Sequence, residues 1–295
     1  MENFNINMIE LPPMPQVVSK IIQIDENNID LSSNQIQNII SVDPGLTAKI
    51  LKLANSAFYA RSKKIDNLAQ ALTLLGFKTI KSLTLLVSVA AVMHQNGSNS
   101  QIQKELWMHS VLAGFISKII AEKTGNRKQN EESFVCGLLK NIGQLILHNR
   151  FPNAFETVIK KCAASSDPNC FHLLEKETFG ITSTEISVKA MKEWNFPDNI
   201  AKVSGLTSKD YNEVFEKGGI LAIYTVLAEA VIYLQDFFNE EIINDKMNLY
   251  YKTLFESYTK KLNIDNTTKD YLTGNLKKHI KNNDFFQFCE EVFSM

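Results

Sequence analysis

The segment Asp43–Tyr59, DPGLTAKILKLANSAFY, indicates a helical fold, because most of it has the pattern of a capped amphipathic helix. Asp43 is suited to the N-cap, where its side chain accepts a backbone hydrogen bond, and Pro44 is suited to the first helical position. The apolar residues recur about one turn apart, as in a helix with one buried face: Leu46, Ile50, Leu53 and Ala54. We therefore predict a helix here that packs against other helices.

The rest of the chain repeats these helical signals and gives no clear strand. Ser32 with Gln35 and Thr182 with Glu185 are spaced as capping boxes, which predict that helices start at these points. No segment alternates polar and apolar residues over the length of a strand. The 12 glycines and 7 prolines in 295 residues are few for a fold built on tight turns. We predict an all-α fold whose helices pack as a bundle-like array.

A polar run at Gln95–Ser100 divides the chain into two predicted lobes. We assign residues 9–97 to an N-terminal helical lobe and residues 98–206 to a second lobe, which opens with a helix from about Gln101 to Lys123. Residues 207–295 are predicted to form a C-terminal helical extension, which either completes the second lobe or covers its cleft.

Charge and hydropathy exclude several classes of protein. The net charge of -1 provides no basic excess to offset phosphate charges, so no nucleic-acid partner is predicted. The longest apolar stretches, Leu83–Met93 and Ile220–Leu234, are shorter than the ~20 residues that a membrane-spanning helix needs. The start of the chain, Met1–Asn5, has neither the basic nor the apolar part of a secretory signal. We therefore expect a cytoplasmic protein without a membrane association.

The sequence carries no recognisable metal or cofactor motif. HExxH, the phosphate-binding glycine motifs and CxxC pairs are all absent. The five histidines are His94, His109, His148, His172 and His279, and we interpret each as a surface or hydrogen-bonded residue rather than a metal ligand. We predict no metal site and no cofactor, and we interpret Gly218-Gly219 as a flexible turn rather than an anion site.

Asn55, Ser56 and Tyr59, at the end of the helix predicted from Pro44, form a candidate surface for a partner or ligand. Their polar side chains are suited to hydrogen bonds with a group held in a pocket. Asn and Ser are more commonly used to cap the C-terminus of a helix. The sequence leaves both interpretations open.

Several motifs follow one another in an order that resembles a known family. They extend over about residues 9–206, and they are Leu11–Val18 (LPPMPQVV), Asp43–Tyr59, Ile65–Gly76, Trp107-x-His109-Ser110, Gly137–Leu145 (GLLKNIGQL), Glu177-x-Phe179-Gly180 and Trp194–Pro197 (WNFP). Together they resemble the HDOD (HD-related output domain) family. The resemblance implies an array of helices related to the HD phosphohydrolases, with an HD-related second lobe.

The same resemblance implies that the HD metal site is degenerate. His109 matches the first metal-binding His, but Lys140-Asn141 replaces the His-Asp pair of the enzymes. Ser183 lies near the position of a later His, and we assign Thr225 to the position of the final Asp. A Lys ammonium does not bind a dication, a neutral Asn is a weak ligand, and one His is too few for a catalytic site. We expect no catalysis at His109, Lys140 and Asn141.

The resemblance implies a function in bacterial signal transduction. We predict a non-catalytic regulatory module that acts by contact with a protein partner, through a groove between the lobes near Asn55, Ser56 and Tyr59. Two alternatives remain: a residual phosphohydrolase that uses His109, Asn141 and a distant carboxylate, and a nucleotide or phosphate sensor whose degenerate cleft holds a small-molecule ligand at Lys140 and Asn141. Fold-level analogy does not separate these hypotheses.

Overall fold

The structure is a computed structural model that describes residues 10–24, 29–59, 64–94, 100–163, 165, 167, 169–207, 209–235, 237, 245–281 and 284–294. Over these ranges the fold is all-α, as predicted, and contains no strand. The helices follow in chain order: α1 Gln16–Ile22, α2 Ile29–Ser41, α3 Pro44–Ala54, α4 Leu68–Leu75, α5 Phe77–His94, α6 Gln101–Lys123, α7 Asn130–Lys140, α8 Ile142–Arg150, α9 Pro152–Ala163, α10 Cys170–Phe179, α11 Ser183–Glu193, α12 Asp198–Ser204, α13 Tyr211–Leu234, α14 Asp245–Lys261, α15 Asn266–Asp270, α16 Leu276–Lys281 and α17 Asp284–Ser294.

These helices form two compact units. One unit contains the described residues of 12–99 together with those of 278–295, and the other contains residues 10–11 and the described residues of 100–277. The chain therefore leaves the first unit, builds the second, and returns to the first at its C-terminus.

Helix α3 in the first unit forms as its sequence predicts. Asp43 is the N-cap and its side chain accepts a hydrogen bond from the backbone N–H of Leu46 at 3.0 Å, with Pro44 at the start of the helix. The predicted apolar face is buried, since Leu46, Ile50, Leu53 and Ala54 are at most 7% exposed. This face packs against α5, which is buried over most of its length.

The C-terminal helix α17 packs in the first unit, against α3 and α5. Asp284 at its start accepts a hydrogen bond from the backbone N–H of Ala57 at 2.7 Å, and the ring of Phe285 packs against that of Tyr59. The predicted C-terminal extension, residues 207–295, is thus divided. Its larger part lies in the second unit, whereas residues 278–295 complete the first unit.

The start of α2 differs from its prediction, and the predicted boundary Gln95–Ser100 is described only at its last residue. The helix predicted to start at Ser32 begins at Ile29, so Ser32 is a buried residue within α2 and not its cap. Of the predicted boundary Gln95–Ser100, residues 95–99 lie outside the described residues. Ser100 is the N-cap of α6, where its hydroxyl accepts a hydrogen bond from the N–H of Gln103 at 3.2 Å.

The second unit is built around α6, which packs closely against α7 and α13. Glycines allow the backbones of α6 and α7 to touch: a Cβ on Gly137 would lie 2.5 Å from the carbonyl oxygen of Ala113. Phe115 and Phe134 pack edge to face beside this contact, with ring centroids 4.9 Å apart. This close approach holds the two helices that carry the predicted HD residues next to each other.

Two helices are long and apolar enough to span a membrane, although the sequence predicts no membrane-spanning helix. Phe77–His94 and Tyr211–Leu234 both meet the length and hydropathy of a membrane span, but 78% and 61% of their apolar windows are buried inside the fold. Such burial is typical of core helices in a globular protein. In Tyr211–Leu234, Gly219 interrupts the helix with a φ of 66°, so Gly218-Gly219 forms a kink.

Candidate functional site

A cleft of about 880 Å³ opens within the second unit. Its wall is formed by residues from α6, from the junction of α7 and α8, and from α10, α11, α13 and α14. The three predicted HD residues, His109, Lys140 and Asn141, all line this cleft, and so does Ser183. Thr225 does not line it.

His109 and Asn141 meet on one wall of the cleft. Helix α7 ends at Lys140, and Asn141 adopts the non-helical conformation that separates α7 from α8. The amide nitrogen of Asn141 lies 3.3 Å from Nδ1 of His109. Burial lowers the pKa of His109, and the nearby Lys140 lowers it further although Glu229 opposes this effect. The imidazole is therefore neutral at pH 7.

Lys140 forms a buried ion pair with Glu229. Its ammonium nitrogen lies 2.6 Å from Oε1 of Glu229, and the two side chains are only 8% and 11% exposed. Lys209, from the segment before α13, binds the other carboxylate oxygen of Glu229. One carboxylate is therefore held between two ammonium groups on the wall of the cleft.

The charges of this Lys140–Glu229–Lys209 cluster depend on one another. Burial on its own raises the pKa of Glu229, but Lys140 and Lys209 outweigh it, and the pKa falls well below its ordinary value. Burial lowers the pKa of Lys140, and Glu229 partly offsets that change. Removing one member of such a buried pair leaves an uncompensated charge, which costs several kcal/mol, roughly 3–5.

The corner that carries Lys140 and Asn141 is fixed by a contact between α8 and α11. The N–H of Gly143 donates to the hydroxyl of Ser187 at 2.9 Å, and that hydroxyl donates to the carbonyl of Lys140 at 3.1 Å. A Cβ on Gly143 would lie 1.9 Å from the carbonyl oxygen of Ser183, so only glycine fits here. The sequence motif around Gly143 therefore positions the cleft wall.

Ser183 binds a buried carboxyl group. Its N–H and its hydroxyl both donate to Oε2 of Glu175, each at 3.0 Å. Glu175 is 1% exposed, and its other oxygen, Oε1, is buried without a hydrogen-bond partner. Burial raises the pKa of Glu175 to about 7, against the opposing effect of the Ser183 hydrogen bonds. Glu175 also lines the cleft.

Thr225, which we assigned to the position of the final Asp, lies one helical turn before Glu229, the residue that lines the cleft. Thr225 is fully buried and donates its hydroxyl hydrogen bond to the carbonyl of Leu221 in its own helix. Glu229, four residues later, places the carboxylate in the cleft. Glu229, Lys209 and Glu175 were not predicted as site residues from the sequence. The one available signal was that Glu229 is the only charged residue in the apolar run Ile220–Leu234.

Asn55, Ser56 and Tyr59 lie in the first unit, where they stabilise the turn after α3. The side chain of Asn55 donates to the carbonyls of Leu51 and Ile65 and accepts from the N–H of Ile65. Ser56 is buried and bonds the carbonyl of Leu53, and Tyr59 is 9% exposed. These contacts fit the capping interpretation, and a partner surface at these residues stays a prediction.

The residues of the cleft do not fit the divalent metal of HD phosphohydrolases. In the part of the chain that the structure describes, no three His, Cys, Asp or Glu side chains converge as metal ligands. The carboxylate of Glu229 is bound on both oxygens by Lys140 and Lys209. A dication at this place would meet two ammonium groups and one neutral imidazole, which is a poor donor set.

Comparison with known proteins identifies the family. The HDOD domain model matches residues 11–206. An uncharacterized protein of Treponema pallidum (strain Nichols) is 27% identical over 190 residues, which are 63% of this chain and 36% of that protein. The chain thus spans about a third of this curated relative.

Solved structures share the fold at low sequence identity. An HDOD domain protein of unknown function from Geobacter sulfurreducens is 19% identical, with a TM-score of 0.71 and coverage of 97% of this chain and 94% of the other. A protein of Marinobacter aquaeolei VT8, provisionally assigned to signal transduction, has a TM-score of 0.70, 19% identity and coverage of 98% and 61%. A provisionally assigned phosphohydrolase of Shewanella amazonensis SB2B has a TM-score of 0.65, 19% identity and coverage of 96% and 95%. The chain belongs to the HDOD domain family.

Proposed function

We propose that this chain is a non-catalytic regulatory module of bacterial signal transduction, which acts in the cytoplasm by contact with a protein partner. The observation that carries the proposal is the Lys140–Glu229–Lys209 cluster, in which two lysines pair with one carboxylate. The family resemblance assigns Lys140 to the position of a metal-binding His. In this proposal Lys140 and Lys209 neutralise Glu229, as a bound metal ion neutralises its carboxylate ligands in a metalloenzyme.

The energetics of the cluster support this proposal. A dication that bound Glu229 would have to displace both ammonium groups, which would leave Lys140 buried and unpaired. Breaking a buried ion pair costs roughly 3–5 kcal/mol, and the displaced charges would also repel the incoming ion. The same fold occurs in a neighbour provisionally assigned to signal transduction, which supports the regulatory part of the proposal.

The two alternative functions have less support from the site. A residual phosphohydrolase would depend on His109, Asn141 and a distant carboxylate. His109 and Asn141 contact each other, but the carboxylate of Glu229 is bound on both oxygens by lysines. A nucleotide or phosphate sensor would need a basic cleft. Among the described residues that line this cleft, five carboxyl groups outnumber two lysines, which disfavours an anionic ligand.

The experiment is a hydrolysis assay on the purified protein with nitrophenyl phosphates and cyclic nucleotides, in the presence of Mn²⁺. We expect no turnover above the rate of a His109→Ala variant, because the residual His109 has no role in catalysis. Turnover that is abolished by His109→Ala would revive the phosphohydrolase alternative.

A second experiment addresses the partner. The full chain is used for native capture from a bacterial extract, with and without crosslinking, and the recovered proteins are compared with those captured by an unrelated helical protein. We expect a specific protein partner, and the repeated absence of any would contradict the proposed mode of action.

A further inference from the structure

The charges of the cleft indicate what kind of group it accepts. Among the described residues that line the cleft, Lys140 and Lys209 both donate hydrogen bonds from their ammonium groups to Glu229. Glu105 and Asp167 add negative charge to the lining, whereas Glu213 is paired with Lys217 and burial, which raises the pKa of Glu175 to about 7, leaves Glu175 partly protonated near neutral pH. A cleft with walls of one sign concentrates ligands of the opposite sign.

A buried acceptor within the cleft gives a second, independent indication. Oε1 of Glu175 has no hydrogen-bond partner although the side chain is 1% exposed, whereas Oε2 is satisfied by Ser183. Buried acceptors without a donor are rare because each one loses its hydrogen bonds to water without replacement. A ligand that brings an N–H donor to Oε1 would remove this cost and would add the attraction between opposite charges.

Aromatic side chains complete a site for a cation. Tyr233 and Tyr251 stack with their ring centroids 4.0 Å apart, and Tyr250 meets Tyr251 edge to face at 5.1 Å; all three line the cleft. Tyrosine faces attract guanidinium and ammonium groups, and they also pack against the methylene stems of arginine and lysine. Leu173, which is 58% exposed, adds an apolar surface to the lining.

We propose that this cleft receives an arginine or lysine side chain from a basic segment of a protein partner, and that the cationic head donates a hydrogen bond to Oε1 of Glu175. The inference rests on the proposed function, since it names the chemistry of the partner. The volume of about 880 Å³ exceeds the need of a single small amine and is at the upper end of ligand pockets. A peptide segment with apolar neighbours of the basic residue fits both this volume and the exposed Leu173.

The test is a binding titration of the full chain with short fluorescein-labelled peptides that carry one or two arginines among apolar residues, followed by fluorescence anisotropy. A matched set of peptides contains citrulline in place of arginine, which keeps the shape and removes the charge. Spermidine, ATP, inorganic phosphate and Mn²⁺ serve as competitors. The variants are Glu175→Gln and, as a control on the same helix, Glu177→Gln, because Glu177 is exposed and does not line the cleft.

We expect arginine peptides to bind, citrulline peptides to bind at least about tenfold more weakly, and Glu175→Gln to weaken binding by about tenfold or more, as for loss of a charge-assisted hydrogen bond. Glu177→Gln should leave the affinity unchanged. Circular dichroism establishes that both variants fold, and Tyr251→Leu provides a second variant that weakens binding through the aromatic wall.

Three results would overturn the inference: no binding of any arginine peptide, equal effects of the two glutamate variants, or displacement of the peptide by ATP or phosphate more readily than by spermidine. Binding of Mn²⁺ with turnover would instead overturn the proposed function. Failure of peptide binding in a protein without turnover would leave the proposed function standing and remove only this inference.

Discussion

Glu175→Gln tests the environment of the cleft through protein stability. Glutamine keeps the size of the side chain and keeps an acceptor for the hydrogen bonds from Ser183, but it has no charge. Burial raises the pKa of Glu175 from 4.5 to about 7, so the folded protein keeps this proton where the unfolded chain has released it. The folded state of the wild type is therefore penalised as the pH rises from 4.5 to 7.

The size of the effect follows from the change in pKa. Each tenfold change in the ionisation equilibrium is worth about 1.4 kcal/mol, so the full penalty is about 3 kcal/mol above pH 7. Near pH 4 the carboxyl group is protonated in both states and the penalty is absent. Relative to the wild type, Glu175→Gln should gain about 2–3 kcal/mol of unfolding free energy between pH 5 and pH 8.

The assay is urea denaturation of the wild type, Glu175→Gln and Glu177→Gln at pH 5 and pH 8. The lowered pKa values of His109 and Glu229 also make stability depend on pH: protonating the unfolded His109 below about pH 6.5, or Glu229 in acid, favours unfolding. These effects occur in all three proteins, so the difference between variants isolates Glu175. A Glu175→Gln variant whose stability differs from that of the wild type by the same amount at both pH values would show that the pKa of Glu175 is not raised by folding.

Three further predictions follow from the packing, each measured by urea or thermal denaturation. Lys140→Met should destabilise the protein by about 3 kcal/mol, because Glu229 is then left buried with one lysine instead of two. Gly143→Ala should cost about 1–3 kcal/mol, because its Cβ would lie 1.9 Å from the carbonyl oxygen of Ser183. Deletion of residues 278–295 should lower the stability of the first unit, because it removes the buried Phe285 and the other apolar residues of α17.

Each of these predictions has a control. Lys209→Met should cost less than Lys140→Met, because the side chain of Lys209 is 26% exposed and that of Lys140 is 8% exposed. Gly274→Ala should be nearly neutral, since no atom lies within 4 Å of its added Cβ. For the deletion, Asp284→Ala keeps the apolar residues of α17 but removes the hydrogen bond to Ala57 and the acidic group in the first turn of the helix, and it should cost about 1 kcal/mol. Equal effects within any pair would contradict the packing argument for that pair.

Features that depend on a few neighbouring residues could be predicted from the sequence. The cap at Asp43 and the capping box of Thr182 with Glu185 form as expected, because each depends on hydrogen bonds within one turn of the chain. The prediction for Ser32 was wrong, because α2 begins at Ile29 and includes Ser32. A capping pair within a helical stretch does not by itself fix where the helix begins.

Features that depend on contacts distant in the chain could not be predicted. Nothing local in residues 278–295 indicates that α17 packs beside α3 and α5. Glu175 lies on a helix where a glutamate is ordinarily exposed, and only the packing of Ser183 against it shows that it is buried. The ion pair of Glu229 with Lys209 joins residues 20 positions apart, and its place in the cleft depends on the packing of α13.

Whether the cleft binds a metal ion can be measured as the metal content of the purified protein after incubation with Mn²⁺ and removal of excess ion. We predict far less than one metal ion per chain for the wild type, because Lys140 and Lys209 neutralise Glu229 from within the protein. One metal ion per chain in the wild type, lost in a His109→Ala variant, would contradict this prediction and would indicate a metal site like that of the metal-dependent phosphohydrolases.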